Sequence, residues 1–263
     1  MAKDKKPDEI VGTSFPRPGI SDGQSASLDY EASAVDVEVK TASEGVTFEK
    51  LEKSKHDRLN FSSGDPEIDN YLKKNARQSM ARGDSLTMVA VAHDPNRMKA
   101  EILGYVTVLP VTYREGTGPA ERLGVEGRDA NALLIGKVGV DEKHQGKGLG
   151  TAMMASALSR AAAIQGLDGV SIDPKHNKDH LRSMYEHVGF ESAADTGAEG
   201  GVTMTMKAEA IEPALDRIAA KSNVMNFEGW RERLAERKAA KDAGISGPSV
   251  AQGLAAEVVK PKM

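Results

Sequence analysis

Residues 133–150 read LLIGKVGVDEKHQGKGLG, an apolar run followed by a glycine-rich turn. The run at 133–140 predicts a buried strand, and TAMMASALSRAAAI at 151–164 predicts a helix directly after the turn. The unpaired N–H groups and the dipole at a helix N-terminus attract anions, and glycines let a phosphate lie against the backbone. The spacing therefore favours a pyrophosphate-binding turn, with a tight turn that holds no ligand as the alternative.

Two common phosphate-binding motifs do not fit this turn. The G-x-x-x-x-G-K-[ST] pattern is absent, because Lys147 lies between two glycines and is not followed by Ser or Thr. The glycines at 146, 148 and 150 do not have the G-x-G-x-x-G spacing, and no acidic ribose-binding residue follows in the expected place. Neither a P-loop nucleotide hydrolase nor a Rossmann dehydrogenase is predicted.

The chain around this turn alternates between strand and helix patterns. The acidic, proline-containing triplet at 65–67 opens a predicted helix. A polar, glycine-rich loop is predicted at 114–131. Further strands are predicted at 46–51, 85–93, 102–111, 168–174 and 202–206, and a second helix at 179–190. The fold class is therefore α/β (α+β), with one domain over residues 45–208.

Residues on both sides of this domain have a different character. Residues 1–44 are rich in charged and small polar residues, so they are predicted to be a disordered extension. Residues 209–243 are predicted to form a helical C-terminal extension, with helices at 212–221 and 227–242, and residues 244–263 a loose tail.

Composition excludes several classes of protein. Cysteine is absent, so there are no disulfides, thiolate metal ligands or cysteine nucleophiles, and the dispersed histidines have no metal-ligand spacing. The N-terminus has no apolar signal segment, and no run of about 18 apolar residues could span a membrane. A cytoplasmic protein without a bound metal is expected.

The turn resembles a known cofactor signature. Residues 145–150 read QGKGLG, which resembles the Q/R-x-x-G-x-G/A signature of GNAT-superfamily acetyltransferases, and VGV at the end of the strand fits the same context. A second stretch, MYEHVGF at 184–190, resembles the Y-x-x-x-G-F segment of that family. The resemblance implies a single GNAT-like domain with a mixed, splayed central sheet flanked by helices. It also implies acetyl-CoA as cosubstrate.

The resemblance assigns roles to residues by position. The backbone N–H of Val140 would face the thioester oxygen, and Tyr185 would protonate the departing thiolate; these two are the predicted catalytic groups. Cofactor contacts are implied for Val138, Gly139, Val140, Gln145, Gly146, Lys147, Gly148, Leu149, Gly150, Thr151 and Asn177.

Tyr185 also fits a purely structural interpretation. Together with Leu181, Met184 and Val188 it forms an i, i+3, i+4, i+7 pattern, which is typical of a helix face in a core.

A narrower resemblance concerns the acceptor. Residues 61–91 and 102–110 are similar to the GNAT toxins of bacterial toxin–antitoxin systems, which acetylate the amino group of aminoacyl-tRNA. This implies aminoacyl-tRNA as substrate and a ribbon-helix-helix antitoxin as partner; a homodimer is a further possibility. The segment 71–83 carries four basic residues and no acidic one, so tRNA contacts are predicted for Lys73, Lys74, Arg77 and Arg82. The alternative is an ordinary solvated helix face.

Other functions stay open from the sequence. One is acetylation of a protein or small-molecule amine, and another is a non-catalytic module that binds acyl-CoA or a protein partner. The net charge of −4 does not favour general nucleic-acid binding. No acidic residue interrupts 102–111 or 133–140, which favours an acceptor amine of low pKa that needs no dedicated base.

Overall fold

The computed structural model describes residues 46–174, 179–192 and 203–221. Within these ranges the chain forms one mixed sheet with helices on both faces, so the predicted α/β fold class is confirmed. The predicted N-terminal extension, Asn177, the helix at 227–242 and the C-terminal tail lie outside the described residues.

Eight strands form the sheet. They are β1 (Val46–Lys50), β2 (His56–Asp57), β3 (Leu86–Ala92), β4 (Ala100–Tyr113), β5 (Ala130–Val140), β6 (Gly169–Ile172), β7 (Glu191–Ser192) and β8 (Met204–Lys207). Their order is β1-β3-β4-β5-β6-β8-β7, with β2 beside the start of β4. Neighbours are antiparallel except for the β5–β6 and β2–β4 pairs.

Within the described residues, six α-helices accompany the sheet. They are α1 (Pro66–Asn70), α2 (Ala76–Ala81), α3 (Gly118–Arg122), α4 (Leu149–Ala163), α5 (Asp179–Val188) and α6 (Ala208–Lys221). A π-helical turn, Tyr71–Asn75, joins α1 to α2. As the acidic triplet predicts, α1 begins at Pro66, and the Asp65 side chain caps it by accepting from the Glu67 N–H at 3.0 Å.

Several boundaries differ from the sequence-based prediction. The strand predicted at 168–174 ends at Ile172, because Asp173 and Pro174 follow and proline has no N–H for the ladder. The loop predicted at 114–131 contains the short helix α3 and the first two residues of β5. α4 begins at Leu149, two residues earlier than predicted. The two-residue strands β2 and β7 were not predicted, because so short a segment has no periodicity to detect.

The two faces of the sheet pack differently. On the first face, α4, α5 and α6 bury one large core against the strands. α6, the beginning of the predicted C-terminal extension, contributes Ile211, Ala214, Leu215 and Ile218 to that core. On the second face, α1 and α2 cover Tyr105 and its neighbours, and the α3 segment covers Tyr113. We call this second face the α1 face.

Candidate active site

The central feature of the site is the point where β5 and β6 part. Their parallel pairing begins at Ala132–Gly169 and ends at Ile135–Ile172, yet β5 continues to Val140. From Gly136 onward, therefore, the β6 side of β5 has no strand partner in the described structure. A register shift opposite Thr107 and Val108 makes Gly136 an extra, bulged residue at this point. The predicted splay of the sheet is confirmed.

The bonds of β5 to its other neighbour show which backbone groups face the opening. The Asp141 N–H donates to the Leu103 carbonyl of β4 at 2.9 Å. Successive N–H groups of an extended strand point to opposite sides, so the N–H groups of Val140 and Val138 point away from β4 and toward the opening. This orientation suits the predicted contacts of both residues with the pantetheine arm of a cofactor.

The glycine-rich turn supplies a helix N-terminus beside this opening. Gly146 and Gly148 have φ of +73° and +82°, a left-handed conformation that favours glycine. Gly148 is the N-cap of α4 and no side chain caps the helix, so the N–H groups of residues 149–151 have no capping partner. The Leu149 side chain is buried in the core, so only its backbone is available to a ligand.

Two long side chains of the turn are engaged by the protein itself. Gln145 donates from its side-chain amide to the carbonyls of Ser63, at 2.9 Å, and Val140, at 3.1 Å. Lys147 donates to the Lys143 carbonyl at 2.9 Å while remaining exposed. Their predicted cofactor contacts therefore stay predictions, and the structure gives both residues a role in shaping the turn.

A buried carboxylate that the sequence did not single out anchors the start of the turn. Asp141 is 4% exposed and accepts from the backbone N–H groups of Ser62, at 3.0 Å, and Lys143, at 3.1 Å. The Glu142 N–H in turn donates to the Ser62 carbonyl at 2.8 Å. The available signal was a single acidic residue directly after an apolar strand, a pattern too common to be diagnostic.

Gly139 lies in β5 beside the opening, and Tyr185 lies on α5 in the core of the first face. A Cβ at Gly139 would lie 2.6 Å from Ile68 and 2.7 Å from the Tyr105 ring, so α1 packs directly on this backbone. Tyr185, on α5, is buried in the core with its ring 6.2 Å from that of Phe190, which confirms the predicted core-facing stripe. Burial raises the pKa of Tyr185 to about 12. Its hydroxyl makes no hydrogen bond to any other described residue.

The predicted basic residues are only partly brought together. A cleft of about 270 Å³ is lined by Arg58, Lys73, Lys74, Arg77, Gln78 and Ala81. Arg58, which no sequence pattern singles out, donates to the Lys73 carbonyl. Arg82 lies outside the lining and pairs with Asp84 at 2.6 Å. No ion pair involves the four cations of the cleft within the described ranges; we call Arg58, Lys73, Lys74 and Arg77 the basic cleft.

The described part of the chain has neither a group of metal ligands nor a membrane-spanning helix. Its histidines and acidic residues form no group able to hold a metal ion. None of its helices combines the length and the apolar character that crossing a membrane requires.

Comparison with known proteins places this site in a family. Residues 85–192 match the profile described as Acetyltransferase (GNAT) domain. Residues 85–192 form a GNAT acetyltransferase domain. The predicted family, enzyme class and acetyl-CoA cosubstrate are thereby confirmed, and the opening between β5 and β6 lies inside the matched region.

Curated relatives of the GNAT domain carry toxin names. A tRNA-acetylating toxin of Mycobacterium tuberculosis is 28% identical over 138 residues, covering 51% of this chain and 78% of the relative. A probable toxin TacT of Sinorhizobium fredii is 24% identical over 126 residues, covering 47% and 67%.

Solved structures of such toxins share the fold. A structure of KacT superposes with a TM-score of 0.55 at 17% identity, covering 64% of this chain and 98% of that one. AtaT complexed with acetyl-methionyl-tRNAfMet gives a TM-score of 0.52 at 18% identity, covering 64% and 98%. AtaTR bound with acetyl-CoA gives 0.54 at 18% identity, covering 64% and 97%.

Proposed function

We propose that this protein transfers the acetyl group of acetyl-CoA to the α-amino group of aminoacyl-tRNA. The observation that carries acetyl transfer is the parting of β5 and β6 after Ile135–Ile172, which leaves β5 backbone unpaired directly before the turn at 145–150. The names of the curated relatives and the basic cleft support aminoacyl-tRNA as the acceptor.

The geometry suggests a direct transfer. The N-terminus of α4 would hold the pyrophosphate of acetyl-CoA, and the open side of β5 would hold its pantetheine arm. The neutral amine attacks the thioester carbon, so a C–N bond forms and the C–S bond breaks. The Val140 N–H stabilises the developing oxyanion, a contribution commonly worth several kcal/mol in acyl transfer. The amine proton passes to solvent, from which Tyr185 regains the proton that it gives to the CoA sulfur, and the products are the amide and free CoA.

Tyr185 is the proposed proton donor to the leaving group. Its pKa is raised to about 12 by burial, so it stays protonated at any physiological pH. It can therefore donate to the CoA sulfur as the C–S bond breaks. Because the conjugate thiol, with a pKa near 8.5, is a stronger acid than Tyr185, this transfer is uphill on its own and is completed by reprotonation of the phenolate from solvent. A hydroxyl without a partner in the described structure suits this role.

The acceptor amine is proposed to be one of low pKa. The strand residues 132–140 and 169–172 that border the opening include no acidic side chain. Asp141 is held by backbone N–H groups, and Asp173 accepts from the Thr203 hydroxyl at 2.7 Å. An α-amine with a pKa near 8 is partly neutral at pH 7, whereas a lysine amine near 10.4 needs a dedicated base.

The basic cleft is the proposed contact for tRNA phosphates. Its four cations come from the loop after β2, the π-helical turn and α2, and they have no acidic partner in the described ranges, so their field is not cancelled locally. The fourth cation of the proposed tRNA contact is Arg58, and not the predicted Arg82. An antitoxin encoded nearby is the expected protein partner, and a homodimer stays a prediction.

Acetyl transfer with labelled acetyl-CoA tests the proposal. Charged tRNA, deacylated tRNA, free amino acids and total cell protein are offered side by side. We expect label in charged tRNA that is released with the amino acid on mild alkaline hydrolysis of the ester. If label appears only in protein or only in free amino acids, the proposal is wrong and the protein is a protein or small-molecule acetyltransferase.

A further inference from the structure

Tyr185 belongs to the hydrogen-bonded turn that ends α5. The Phe190 N–H donates to the Tyr185 carbonyl at 3.0 Å. The Gly189 N–H donates to the Glu186 carbonyl, also at 3.0 Å. Together with the φ of +117° at Gly189, these two bonds form a Schellman motif, in which the residue after the last helical one is left-handed. The backbone position of Tyr185 is therefore set by the end of the helix.

The ring of Tyr185 is held from the same turn. It packs edge-to-face on the Phe190 ring, with the ring centroids 6.2 Å apart. No hydrogen bond to a described residue holds the Tyr185 hydroxyl. The place of that hydroxyl therefore depends on the turn and on whatever supports the turn.

Arg217 supports the turn from another helix. Its Nη2 donates to the carbonyl of Val188, the last residue of α5, at 3.1 Å. Carbonyls at a helix C-terminus lack partners within the helix and carry the negative end of the dipole, so a guanidinium is well suited to them. Arg217 lies on α6, which follows the residues 85–192 that match the GNAT profile.

Gly189 provides the space for this contact. A Cβ at Gly189 would lie only 2.4 Å from Arg217 Nη2, so any larger residue would displace the guanidinium. The backbone of α6 is itself fixed, because Leu215 and Ile218, on either side of Arg217, are buried in the large core. An arginine on a fixed helix thus reaches the one carbonyl that closes α5.

We infer that Arg217 is a positioning residue for acetyl transfer, which holds the end of α5 and through it the hydroxyl of Tyr185. The inference rests on the proposed role of Tyr185 as proton donor, and it does not depend on which amine accepts the acetyl group. A displacement of about 1 Å in a reacting group can lower the rate about 10²-fold. Arg217 itself is exposed, so its loss should affect turnover more than stability.

Arg217→Met tests the contact, because it removes the guanidinium and keeps an unbranched side chain. With leucinamide as acceptor, we expect kcat to fall at least about tenfold, with acetyl-CoA affinity unchanged by calorimetry. The melting temperature should fall by only about 2–4 °C, as for one lost hydrogen bond in a domain of this size. Arg97→Met is the matched control, because it removes an exposed arginine that pairs with Glu101 far along the chain from α5.

A double-mutant cycle shows whether Arg217 acts through Tyr185. In the Tyr185→Phe background, Arg217→Met should lower kcat by less than about twofold, because the hydroxyl that it positions is already gone. An equal loss in both backgrounds would overturn the inference, and so would a kcat within about threefold of wild type in the single variant. Arg217→Gln serves in the same cycle if the methionine variant does not fold.

Charged tRNA separates this inference from the proposed function. The expected coupling with leucinamide, together with no transfer to any charged tRNA, would contradict the tRNA proposal and leave the assignment of Arg217 standing. Transfer to charged tRNA, together with an equal effect of Arg217→Met in both backgrounds, would do the reverse.

Discussion

Gln145 donates its side-chain amide to the carbonyl of Ser63, fastening the glycine-rich turn to the segment that leads into α1. A backbone bond between Glu142 and Ser62, at 2.8 Å, reinforces the link. The proposed cofactor turn is thus held from outside α4 and is shaped before any ligand arrives. Preorganisation of this kind lowers the entropic cost of binding.

Gly148→Glu should abolish acetyl-CoA binding. The new side chain would fill the space of the phosphate, add a negative charge, and strain a residue with φ of +82°. Calorimetry on the folded variant measures the loss. Gly127→Glu is the control, because Gly127 has a similar φ of +72° with nothing within 4 Å of its Cβ position. An equal loss of acetyl-CoA affinity in both variants would show that backbone strain, and not the position in the turn, causes the effect.

Tyr185→Phe should keep the fold and acetyl-CoA affinity but lower turnover by about 10²–10⁴-fold, the usual contribution of a general acid. The ring still fills the core, so thermal stability should change little. Tyr105→Phe offers the opposite pattern: it removes the 2.8 Å bond to the Ile68 carbonyl, which should cost about 1 kcal/mol of stability without the same loss of rate. If turnover stays within threefold of wild type, Tyr185 has a structural role in the core and is not the general acid.

The pH dependence of kcat/KM should have a rising limb only. Activity should increase as the acceptor amine loses its proton around pH 8 and then stay level up to pH 10. No decline is expected there, because burial raises the pKa of Tyr185 to about 12 and keeps its proton in place. The profile is measured with leucinamide, which has no labile ester. A falling limb near pH 9 that disappears in Tyr185→Phe would contradict the assignment.

Replacing Arg58, Lys73, Lys74 and Arg77 with glutamine should weaken charged-tRNA binding and flatten its salt dependence. Four lost phosphate contacts lower the log–log slope by about three. Binding is measured across a salt series, with acetyl-CoA affinity expected to be unchanged. Arg82→Gln is the matched control, since Arg82 pairs with Asp84 outside the cleft. If the salt dependence of tRNA binding is the same in the fourfold variant as in the wild type, the basic cleft does not contact RNA.

Stability should decrease as the pH falls below about 6.5, partly through His56. Burial lowers the pKa of His56, whose Nδ1 accepts from the Glu52 N–H at 2.9 Å. The unfolded chain therefore takes up this proton at a higher pH than the folded one, and acid favours unfolding. Chemical denaturation between pH 7.5 and 5 should show a shallower decrease in His56→Gln. His187→Gln, at an exposed histidine of α5, is the control.

The sequence predicted the parts of the site that are continuous in the chain. The turn at 145–150 and the helix after it have a local signature, and Tyr185 has a motif around it. Arg58 was missed because it is an isolated arginine that reaches Lys73 only through the fold. The pairing of Leu109 with Leu134 was not predicted, because these residues meet through strand register, which no single stretch of sequence specifies.

The bulge at Gly136 decides which side of the sheet each later β5 residue faces. With one extra residue, Val138 packs against the α4 core while Lys137 and Gly139 face α1. Strict alternation without the bulge would turn the lysine into the core and push valine side chains against Ile68 and Tyr105. It would also exchange the backbone groups at the opening, pointing carbonyls and N–H groups of the wrong residues at the cofactor. Forced into regular pairing, this strand would lose its core packing and its ligand contacts together.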